Sequence, residues 1–399
     1  MNRPLRIALV ADSFPPICTS GAVQLRDLSR ELIRQGHKVT VLLPEPSLKA
    51  PWRMENIDNA RVLRLKAPKT RETNYIQRTI GEFLMPFAMR RNFRRSPIAN
   101  EKFDGVVWYA PSIFHGPFVN MLKKSSGCKG YLIIRDIFPE WAVDIGLMGR
   151  GFPYLFFNAI ARYQYSIANV IGVQTAGNLT YFDTWQQQPG HKLEVLQNWL
   201  GNPANTHCSI RVNKTPLAGR KIFVYAGNMG IAQGMDIIID LAEKLSARTD
   251  VGFLFVGRGS DLQRLKNIAQ GRELKNIQFF EEIHPDEIPD LYAQCDAGIV
   301  ALDSRHKSHN IPGKFLTYMQ CGLPVLANVN SGNDLATMIR NEQVGQVCES
   351  NQIDELIELT NKLLKQIDSD SMLSARCHNL FKREFSVEQA AKQILRTFS

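Results

Sequence analysis

The feature that most constrains the fold is an alternation of short apolar strands with helical segments, in which each strand ends in a loop of small residues. Residues 6–11 form an apolar run, residues 21–35 carry apolar side chains at helical spacing, and residues 38–43 form a second run rich in β-branched residues. Short apolar runs joined by helices are typical of a parallel sheet with helices on its faces. The first forty or so residues therefore predict an α/β fold.

The same alternation starts again in the second half of the chain. Predicted strands over 221–227 and 252–257 both end in glycine, and a predicted helix over 235–245 joins them. The preceding residues 198–216 contain glycine and proline but little apolar periodicity, which is typical of a linker. Further strands are predicted over 61–65, 104–108, 131–134, 170–174, 277–281, 297–301 and 324–327. We therefore predict two doubly wound Rossmann-like domains facing a cleft, over residues 1–200 and 201–380, with a C-terminal helix over 381–399 that crosses back to the first domain.

The composition indicates the cellular compartment of the protein and the charge of its binding partner. The 399 residues carry 48 Lys and Arg against 38 Asp and Glu, a net charge of +10, which indicates an anionic partner such as a phosphorylated substrate, an acidic membrane or a nucleic acid. No apolar run approaches the ~18–20 residues that span a bilayer, and residues 7–11 are too short for the core of a signal peptide. The seven cysteines are scattered without a Cys-x-x-Cys pair. We expect a cytoplasmic protein with reduced thiols and no cysteine-bound metal.

Two loops that join a strand to a helix carry candidate ligand-binding residues. In the first, Ser20 and Gly21 lie at a helix start, where backbone N–H groups and the helix dipole favour an anion; a long turn capped by Ser20 is the alternative. In the second, Gly227, Asn228 and Gly230 allow backbone angles and a close approach that suit phosphate. Neither loop is G-x-G-x-x-G or G-x-x-x-x-G-K-[ST], so the dinucleotide and P-loop fingerprints are absent.

The strongest single segment runs from residue 309 to residue 327. Pro312 lies at a predicted helix start and Gly322 just past its end, which are the usual positions for these residues. Lys314 in the first turn opposes the helix dipole, which makes sense if an anionic ligand occupies the helix N-terminus; a solvated surface lysine is the alternative. The turn 257–259 could repeat the phosphate-binding role, but we favour a common strand-to-helix turn for Gly259.

Together these segments resemble the family 4 glycosyltransferases, which have the two-domain GT-B fold. The resemblance covers nearly the whole chain and rests on FPP at 14–16, Gly21, GHKVTV at 36–41, YAGNMGIAQG at 225–234, FVG at 255–257 and the block 314–327. The run Arg135-Asp136-Ile-Phe-Pro139-Glu140 and the Gly-Asn…Gln form of the glycine loop resemble one subgroup of bacterial O-antigen and capsule enzymes. That subgroup includes proteins assigned as N-acetyl-L-fucosamine transferases.

The resemblance implies a retaining transfer from a nucleotide-diphosphate sugar, here a UDP-sugar. It places the nucleotide in the second domain and the acceptor on the first. It also implies that no cofactor and no metal are needed, since helix dipoles and basic side chains neutralise the diphosphate. In keeping with this, the sequence offers no convincing DxD-type metal motif.

The two glutamates that the family carries at the donor site have no match here. Counted back from Gly-Leu-Pro-Val at 322–325, they fall near His309 and on Thr317. Thr317 can still bond a ribose hydroxyl as a neutral group, and the sugar-facing role would fall to His309 or to the backbone at Asn310. The other donor-site residues that the resemblance implies are Gly227, Asn228, Gly230, Gln233, Arg258, Glu282, Ile283, Gly313 and Lys314. Lys314 and Arg258 would carry the charge that faces the diphosphate.

Candidate catalytic residues on the acceptor side are two carboxylates. Asp136 and Glu140 follow a predicted strand, and a carboxylate there could orient or deprotonate the acceptor hydroxyl. A helix N-cap paired with Arg135 is the alternative. Asp12, at another strand end, is a weaker candidate. His309 is the third catalytic candidate, and Ser20, Gly21 and Arg135 complete the predicted acceptor site.

The stretch 61–95 interleaves ten basic residues with apolar ones, and Pro86 predicts a kink in its helix. This pattern favours an anionic membrane surface and suits an undecaprenyl-diphosphate-linked sugar as acceptor. A core-facing helix with a solvated basic face is the alternative. No nucleic-acid partner is expected, because no binding motif is present and the aromatic residues form no base-stacking platform.

The sequence as a whole predicts a retaining glycosyltransferase that acts at the inner membrane face. It would move an N-acetylamino sugar, such as N-acetyl-L-fucosamine, from a UDP-sugar to a lipid-diphosphate-linked glycan in O-antigen or capsule synthesis. The alternatives are a non-catalytic sugar-nucleotide-binding or glycan-binding protein on the same fold, and a transferase with a soluble acceptor. The absent export signal argues against a two-lobed periplasmic receptor.

Overall fold

The computed structural model describes residues 3–17, 19–70, 74–144, 146–203, 206–230, 233–303 and 311–398. The chain divides into two compact units, one of Met1–Gln197 with Val387–Ser399 and one of Asn198–Ser386. Each unit holds a largely parallel sheet with helices, which confirms the predicted α/β class. Cys18 and residues 71–73 of the basic stretch lie outside the described residues.

The first unit is built on an eight-stranded sheet. Its elements are β1 (Arg6–Val10), α1 (Ser20–Arg34), β2 (Lys38–Glu45), β3 (Trp52–Ile57), β4 (Ala60–Lys66), α2 (Tyr75–Phe93), β5 (Gly105–Tyr109), α3 (Gly116–Ser126), β6 (Lys129–Ile134), α4 (Glu140–Asp144), α5 (Phe152–Ser166), β7 (Val170–Val173), α6 (Asp183–Gln186) and β8 (Lys192–Val195). The strand order is β3-β4-β2-β1-β5-β6-β7-β8, and β3 alone runs antiparallel to its neighbour. The order reverses between β1 and β5, as in a doubly wound sheet.

The second unit is built on a six-stranded parallel sheet. Its elements are β9 (Lys221–Ala226), α7 (Asp236–Lys244), β10 (Val251–Val256), α8 (Leu262–Gly271), β11 (Ile277–Phe280), α9 (Ile288–Tyr292), β12 (Ala297–Ala301), α10 (Gly313–Gln320), β13 (Val325–Asn328), α11 (Asp334–Glu342), β14 (Gly345–Cys348), α12 (Ile353–Ser369) and α13 (Leu373–Leu380). The order β11-β10-β9-β12-β13-β14 reverses between β9 and β12. The last helix, α14 (Val387–Leu395), packs against α1 of the first unit.

The central strands are buried on both faces, which explains their continuous apolar runs. Every residue of β5, β10 and β12 is buried, since helices cover both sides of a parallel sheet. The strands that the sequence did not predict are β3, β8 and β14, and each lies at the edge of its sheet. An edge strand is covered on fewer sides, so its sequence carries a weaker apolar signal.

The helix in the basic stretch is α2, and part of its apolar surface is exposed. Pro86 lies inside α2, which continues as one helix from Tyr75 to Phe93. The helix buries Met85 and Met89 but leaves other apolar side chains in solvent. The helix thus faces the core on one side and exposes its basic residues, as the alternative has it, but it exposes apolar side chains as well. The exposed apolar residues of α2 are Tyr75, Ile76, Ile80, Phe83, Leu84 and Phe87.

Candidate functional site

A pocket of about 320 Å³ lies at the carboxyl-terminal edge of the second sheet. Its walls come from the ends of β9 and β10, the loop after β11 and the first turns of α10. This edge, beside the point where the strand order reverses, is where open α/β sheets bind ligands. The lining residues are Ala226, Gly227, Val256, Gly257, Glu282, Ile283, Pro285, Ile288, Tyr292, Lys314 and Thr317.

Two glycine-rich loops form one side of the pocket and are bonded to each other. The backbone N–H of Gly227 donates to the carbonyl of Val256 at 2.9 Å, and that of Met229 donates to the carbonyl of Arg258 at 2.7 Å. Gly257 and Gly259 have φ angles of +145° and +149°, which side chains rarely adopt. A Cβ atom on Gly259 would lie 2.1 Å from the carbonyl oxygen of Met229. Gly259 is thus required by loop packing, and an ordinary turn does not account for it.

Lys314 brings positive charge into the pocket and is the only basic residue among the described residues that line it. Its Nζ lies 3.7 Å from the centre of the Tyr225 ring, and the residue is half-buried. Burial lowers the pKa of Lys314 to about 7. The ring face of Tyr225 offsets part of the cost of keeping the ammonium out of water. In the free protein the side chain is therefore only partly protonated near pH 7, and a bound anion would favour the ammonium form.

The other predicted residues of the first glycine loop have well-defined local roles. Gly230 N–H donates to Oε1 of Gln233 at 2.9 Å, and Nδ2 of Asn228 approaches the same oxygen at 3.4 Å. Oε1 of Gln233 thus accepts hydrogen bonds from within the loop and stabilises its conformation. Asn228 and Gly227 are exposed, and Tyr225 donates its hydroxyl hydrogen to the carbonyl of Asn228 at 2.6 Å. The loop is stiffened from both sides, so its ligand-facing backbone is fixed in advance.

Some of the remaining predicted donor residues line the pocket and others do not. Thr317 and Ile283 line the pocket, and Thr317 Oγ1 donates to the carbonyl of Gly313 at 3.4 Å. Arg258 lies outside the lining, and its Nε is 3.2 Å from Oε2 of Glu282, with both side chains exposed. The carboxylate offsets the charge of Arg258. His309 and Asn310 lie outside the described residues.

Five predicted donor residues therefore share one pocket. They are Gly227, Glu282, Ile283, Lys314 and Thr317. The five belong to three segments, the loop after β9, the loop after β11 and the first turns of α10, which are far apart in sequence but meet at the same edge of the sheet. This juxtaposition follows from the doubly wound order, which places consecutive strand ends side by side.

In the first unit, Asp136 and Glu140 have different surroundings. Asp136 is exposed; desolvation raises the pKa of its carboxyl and the neighbouring Arg135 acts against that rise. Because water still reaches the side chain, we expect Asp136 to be ionised at neutral pH. Glu140 opens α4, and its Oε1 accepts a hydrogen bond of 2.8 Å from the hydroxyl of Tyr154. Glu140 is thus engaged with α5.

Arg135 is buried and holds the chain after β8. Its Nη1 donates to the carbonyl of Leu196 at 2.6 Å and its Nη2 donates to that of Gln197 at 3.4 Å. Burial lowers the pKa of Arg135 and the nearby Tyr109 raises it. These contacts favour a structural role, and a contact with an acceptor stays a prediction.

The loop before α1 has a different cap from the predicted one. Thr19 is the N-cap, and its Oγ1 accepts from the backbone N–H of Ala22 at 3.3 Å. Ser20 is the first residue of the helix and is exposed, so the proposal that it caps the turn is wrong. Gly21 packs against Tyr109, since a Cβ atom there would lie 3.1 Å from Cε1 of that ring.

A second and larger pocket, of about 650 Å³, lies in the first unit. Asp12 after β1 and Ser112 after β5 line it, which places it at the carboxyl-terminal edge of that sheet. Nε2 of the fully buried His115 lies 2.9 Å from Oδ1 of Asp12. From the sequence Asp12 is only a weaker catalytic candidate, and His115 is not among the candidates. The sequence does carry one indication of this pair, since both residues follow strands that lie next to each other in a parallel sheet.

Two absences hold within the described residues. No group of three or more His, Cys, Asp and Glu side chains there could hold a metal ion. Among the described helices, none combines the length and apolar character that crossing a bilayer requires.

Comparison with known proteins finds glycosyltransferases among the proteins similar to this chain. Residues 210–378 match the family described as Glycosyl transferases group 1. WcaI of Escherichia coli, whose name assigns it to colanic acid biosynthesis as a glycosyl transferase, is 24% identical over 381 residues. That match spans 87% of this chain and 86% of WcaI.

Two solved structures extend the comparison over nearly the whole chain. WaaG, a glycosyltransferase involved in lipopolysaccharide biosynthesis, is 15% identical with a TM-score of 0.62 and covers 97% of this chain and 99% of its own. HepE from Anabaena, solved in complex with UDP, is 13% identical with a TM-score of 0.66 and covers 98% of this chain and 99% of its own. At these identities the structures show the fold, which is GT-B.

Proposed function

We propose that this chain, a glycosyltransferase with the GT-B fold, transfers a sugar from a UDP-sugar to a lipid-diphosphate-linked glycan in the synthesis of a bacterial surface polysaccharide. The sugar is an N-acetylamino sugar such as N-acetyl-L-fucosamine, and its anomeric configuration is retained. The observation that carries the proposal is the pocket in which Lys314 faces two glycine loops at a sheet switch point. A half-buried ammonium beside exposed backbone is suited to a diphosphate.

The names of similar proteins support the donor and the pathway class. HepE was solved with UDP, WcaI is named for colanic acid biosynthesis, and WaaG is involved in lipopolysaccharide biosynthesis. The large pocket of the first unit supports the acceptor assignment, since a soluble sugar would not need apolar walls. We propose that donor binding needs no metal, because Lys314 supplies the countercharge.

The reaction that we propose is the retaining transfer that the resemblance to family 4 implies. The bond between the anomeric carbon and the diphosphate oxygen breaks, and UDP leaves with the electron pair. Lys314 stabilises the negative charge that grows on the diphosphate. The acceptor hydroxyl bonds to the same face of the anomeric carbon, and its proton passes to an oxygen of the departing diphosphate. Asp136 would position the acceptor hydroxyl.

Calorimetry with UDP and GDP tests the donor assignment directly. We expect UDP to bind in the micromolar range and GDP more weakly, with UDP binding unchanged by EDTA. Transfer is then measured with UDP-N-acetylamino sugars and a short diphosphate-linked saccharide. If neither nucleotide binds, the donor site is not the one drawn here. If UDP binds but only soluble saccharides accept sugar, the acceptor class is wrong.

UDP affinity is expected to fall as the pH rises above 7. The lowered pKa of Lys314 means that the ammonium form becomes scarce in the free protein above about pH 7, while the bound diphosphate requires it. Up to about pH 8.5 the charge on UDP is nearly constant, because a phosphate with a second pKa of about 6 is fully ionised from about pH 7.5. Between about pH 7.5 and 8.5 we therefore expect a loss approaching about tenfold, with proton uptake on binding.

The matched control for this titration is Lys314→Arg, whose guanidinium stays charged throughout. Its affinity should be nearly flat over the same range. Calorimetry in two buffers of different ionisation enthalpy measures the proton uptake. An equally flat wild-type profile would contradict the assignment.

Membrane binding is expected to depend on the end of α2. Arg90, Arg91, Arg94 and Arg95 are all exposed there. A basic residue near an anionic bilayer contributes about 1 kcal/mol. Reversing Arg90 and Arg91 to Glu should therefore weaken binding to vesicles rich in phosphatidylglycerol about tenfold or more, as measured by flotation. The control reverses the exposed Lys244 and Lys275 of the second unit. Equal losses in both variants would show that net charge alone governs binding.

A further inference from the structure

Exposed apolar side chains are concentrated in one region of the first unit. Of the fourteen large apolar side chains that are exposed in the described chain, six lie on α2 and five lie between Trp141 and Tyr163. Soluble proteins rarely expose a large contiguous apolar surface without a partner for it. The second segment belongs to α4, α5 and the turn between them, and the sequence analysis did not single it out.

The two segments touch and form one surface. The rings of Phe83 on α2 and Phe156 on α5 have their centres 6.1 Å apart. Phe156 in turn packs edge-on against Phe157 at 5.3 Å. We call this surface the apolar patch; it consists of Tyr75, Ile76, Ile80, Phe83, Leu84, Phe87, Trp141, Leu147, Phe152 and Leu155.

The 650 Å³ pocket borders the apolar patch. Tyr75, Trp141 and Leu147 belong to the patch and also line the pocket. Much of the wall is apolar and includes Met85, Ile113, Phe138 and Phe157. A hydrocarbon chain could therefore pass from a bilayer that meets the patch into the pocket without entering water.

Polar groups occupy the part of the pocket at the sheet edge. Asp12 lies there with its Oδ1 2.9 Å from Nε2 of the buried His115, and Ser112 lies on the neighbouring loop. Arg78 Nε lies 2.9 Å from Oε1 of Glu82, and burial raises the pKa of Glu82 while Arg78 lowers it. Carboxylate and hydroxyl oxygens accept hydrogen bonds from sugar hydroxyls. The pocket thus combines an apolar entrance with a polar edge.

We infer that the pocket between α2 and the segment 138–157 binds the isoprenoid chain of the acceptor lipid next to its diphosphate, with the saccharide end toward Asp12. The inference rests on the proposed function, because it assumes a lipid-linked acceptor. Arg78 is the one basic side chain among the described residues that line the pocket, so it is the charge that would face the diphosphate, while the exposed Arg90 and Arg91 lie at the far end of that helix. A soluble acceptor could bond to the polar groups at the sheet edge, but it would not contact the apolar side chains at the entrance.

The test places a large side chain in the pocket and compares it with the same substitution outside the pocket. Thr79 is a half-buried residue on α2 that lines the pocket, and Gln77 is an exposed residue of the same helix outside the lining. Thr79→Trp should raise KM at least tenfold for an acceptor on a long isoprenyl diphosphate, while Gln77→Trp should not. With the same saccharide on a short water-soluble alkyl diphosphate, the rise in KM that Thr79→Trp causes should be much smaller than with the long isoprenyl chain, and Gln77→Trp should again leave KM unchanged. The inference would be overturned if KM were the same for long and short chains and were unchanged by Thr79→Trp.

Direct binding separates this inference from the proposed function. Farnesyl diphosphate should bind the wild-type protein at least tenfold more tightly than inorganic pyrophosphate, and Thr79→Trp should remove that preference. Binding with no transfer to any lipid acceptor would refute the proposed function and leave the chain site standing. Equal affinity for the two probes would refute the chain site. A dimer that Thr79→Trp dissociates in sedimentation would instead make the patch an interface between two copies, which also overturns the inference.

Discussion

Replacing Lys314 with methionine is expected to weaken UDP binding at least about tenfold, or ~1.4 kcal/mol, and at the same time to stabilise the ligand-free protein. The loss of affinity follows because the pocket would keep its shape but lose its charge next to the diphosphate. Methionine has a similar length and no charge, so the apolar contacts with Tyr225 are largely kept. Calorimetry with UDP measures the first effect.

The stabilisation has a defined pH range. The folded protein lowers the pKa of Lys314 to about 7, whereas the unfolded chain has the ordinary value near 10.4. Between these values the unfolded state binds more protons, so the free energy of unfolding rises with pH; below about pH 7 the full cost of the buried charge remains. Methionine removes that cost, which we place on the order of 2 kcal/mol for a half-buried group.

Urea denaturation at pH 7 and pH 10.5 checks this second effect. Lys314→Met should have a higher midpoint than wild type at pH 7, and the difference should shrink at pH 10.5. Lys314→Arg is the control, because it keeps the charge and should not be stabilised. A methionine variant that binds UDP as the wild type does would show that the diphosphate lies elsewhere.

The sequence could predict Lys314 because its anomaly is local. A lysine in the first turn of a helix opposes the dipole, and that conflict is visible without any tertiary structure. The α/β class and most inner strands were predictable for a similar reason, since an apolar run flanked by turn residues is a local pattern. Gly227 and Lys314 then meet because strand order brings their loops together.

Other features depend on contacts that no local pattern carries. The approach of His115 to Asp12 joins residues that follow different strands. The exposure of Trp141 and Leu147 is visible only once α4 is placed beside α2. Arg135 looked like a ligand-binding residue beside Asp136, but its guanidinium turns inward to backbone carbonyls. For such residues, burial and partner are set by tertiary packing.

Replacing Gly257 with alanine is expected to disrupt both the donor pocket and the second unit. A Cβ atom on Gly257 would lie 2.0 Å from the carbonyl oxygen of Gly227, and the φ angle of +145° strains any side chain. The neighbour is backbone, so relief requires the two glycine loops to separate. Separation breaks the hydrogen bond from Gly227 to Val256 and the one from Gly257 to Phe280, which measure 2.9 and 3.1 Å. We expect a loss of about 3 kcal/mol or more in stability.

The same movement displaces the backbone that faces the diphosphate, so UDP affinity should fall about tenfold or more even where the protein is folded. Gly271→Ala is the matched control, because Gly271 ends α8, has no strained φ and has no atom within 4 Å of its Cβ position. It should be neutral or slightly stabilising. Urea denaturation and UDP calorimetry are measured on both variants and on Gly259→Ala, whose Cβ would meet the carbonyl oxygen of Met229. If Gly257→Ala behaves like Gly271→Ala, the two loops are not packed as described, and the pocket loses its basis for preorganised diphosphate binding.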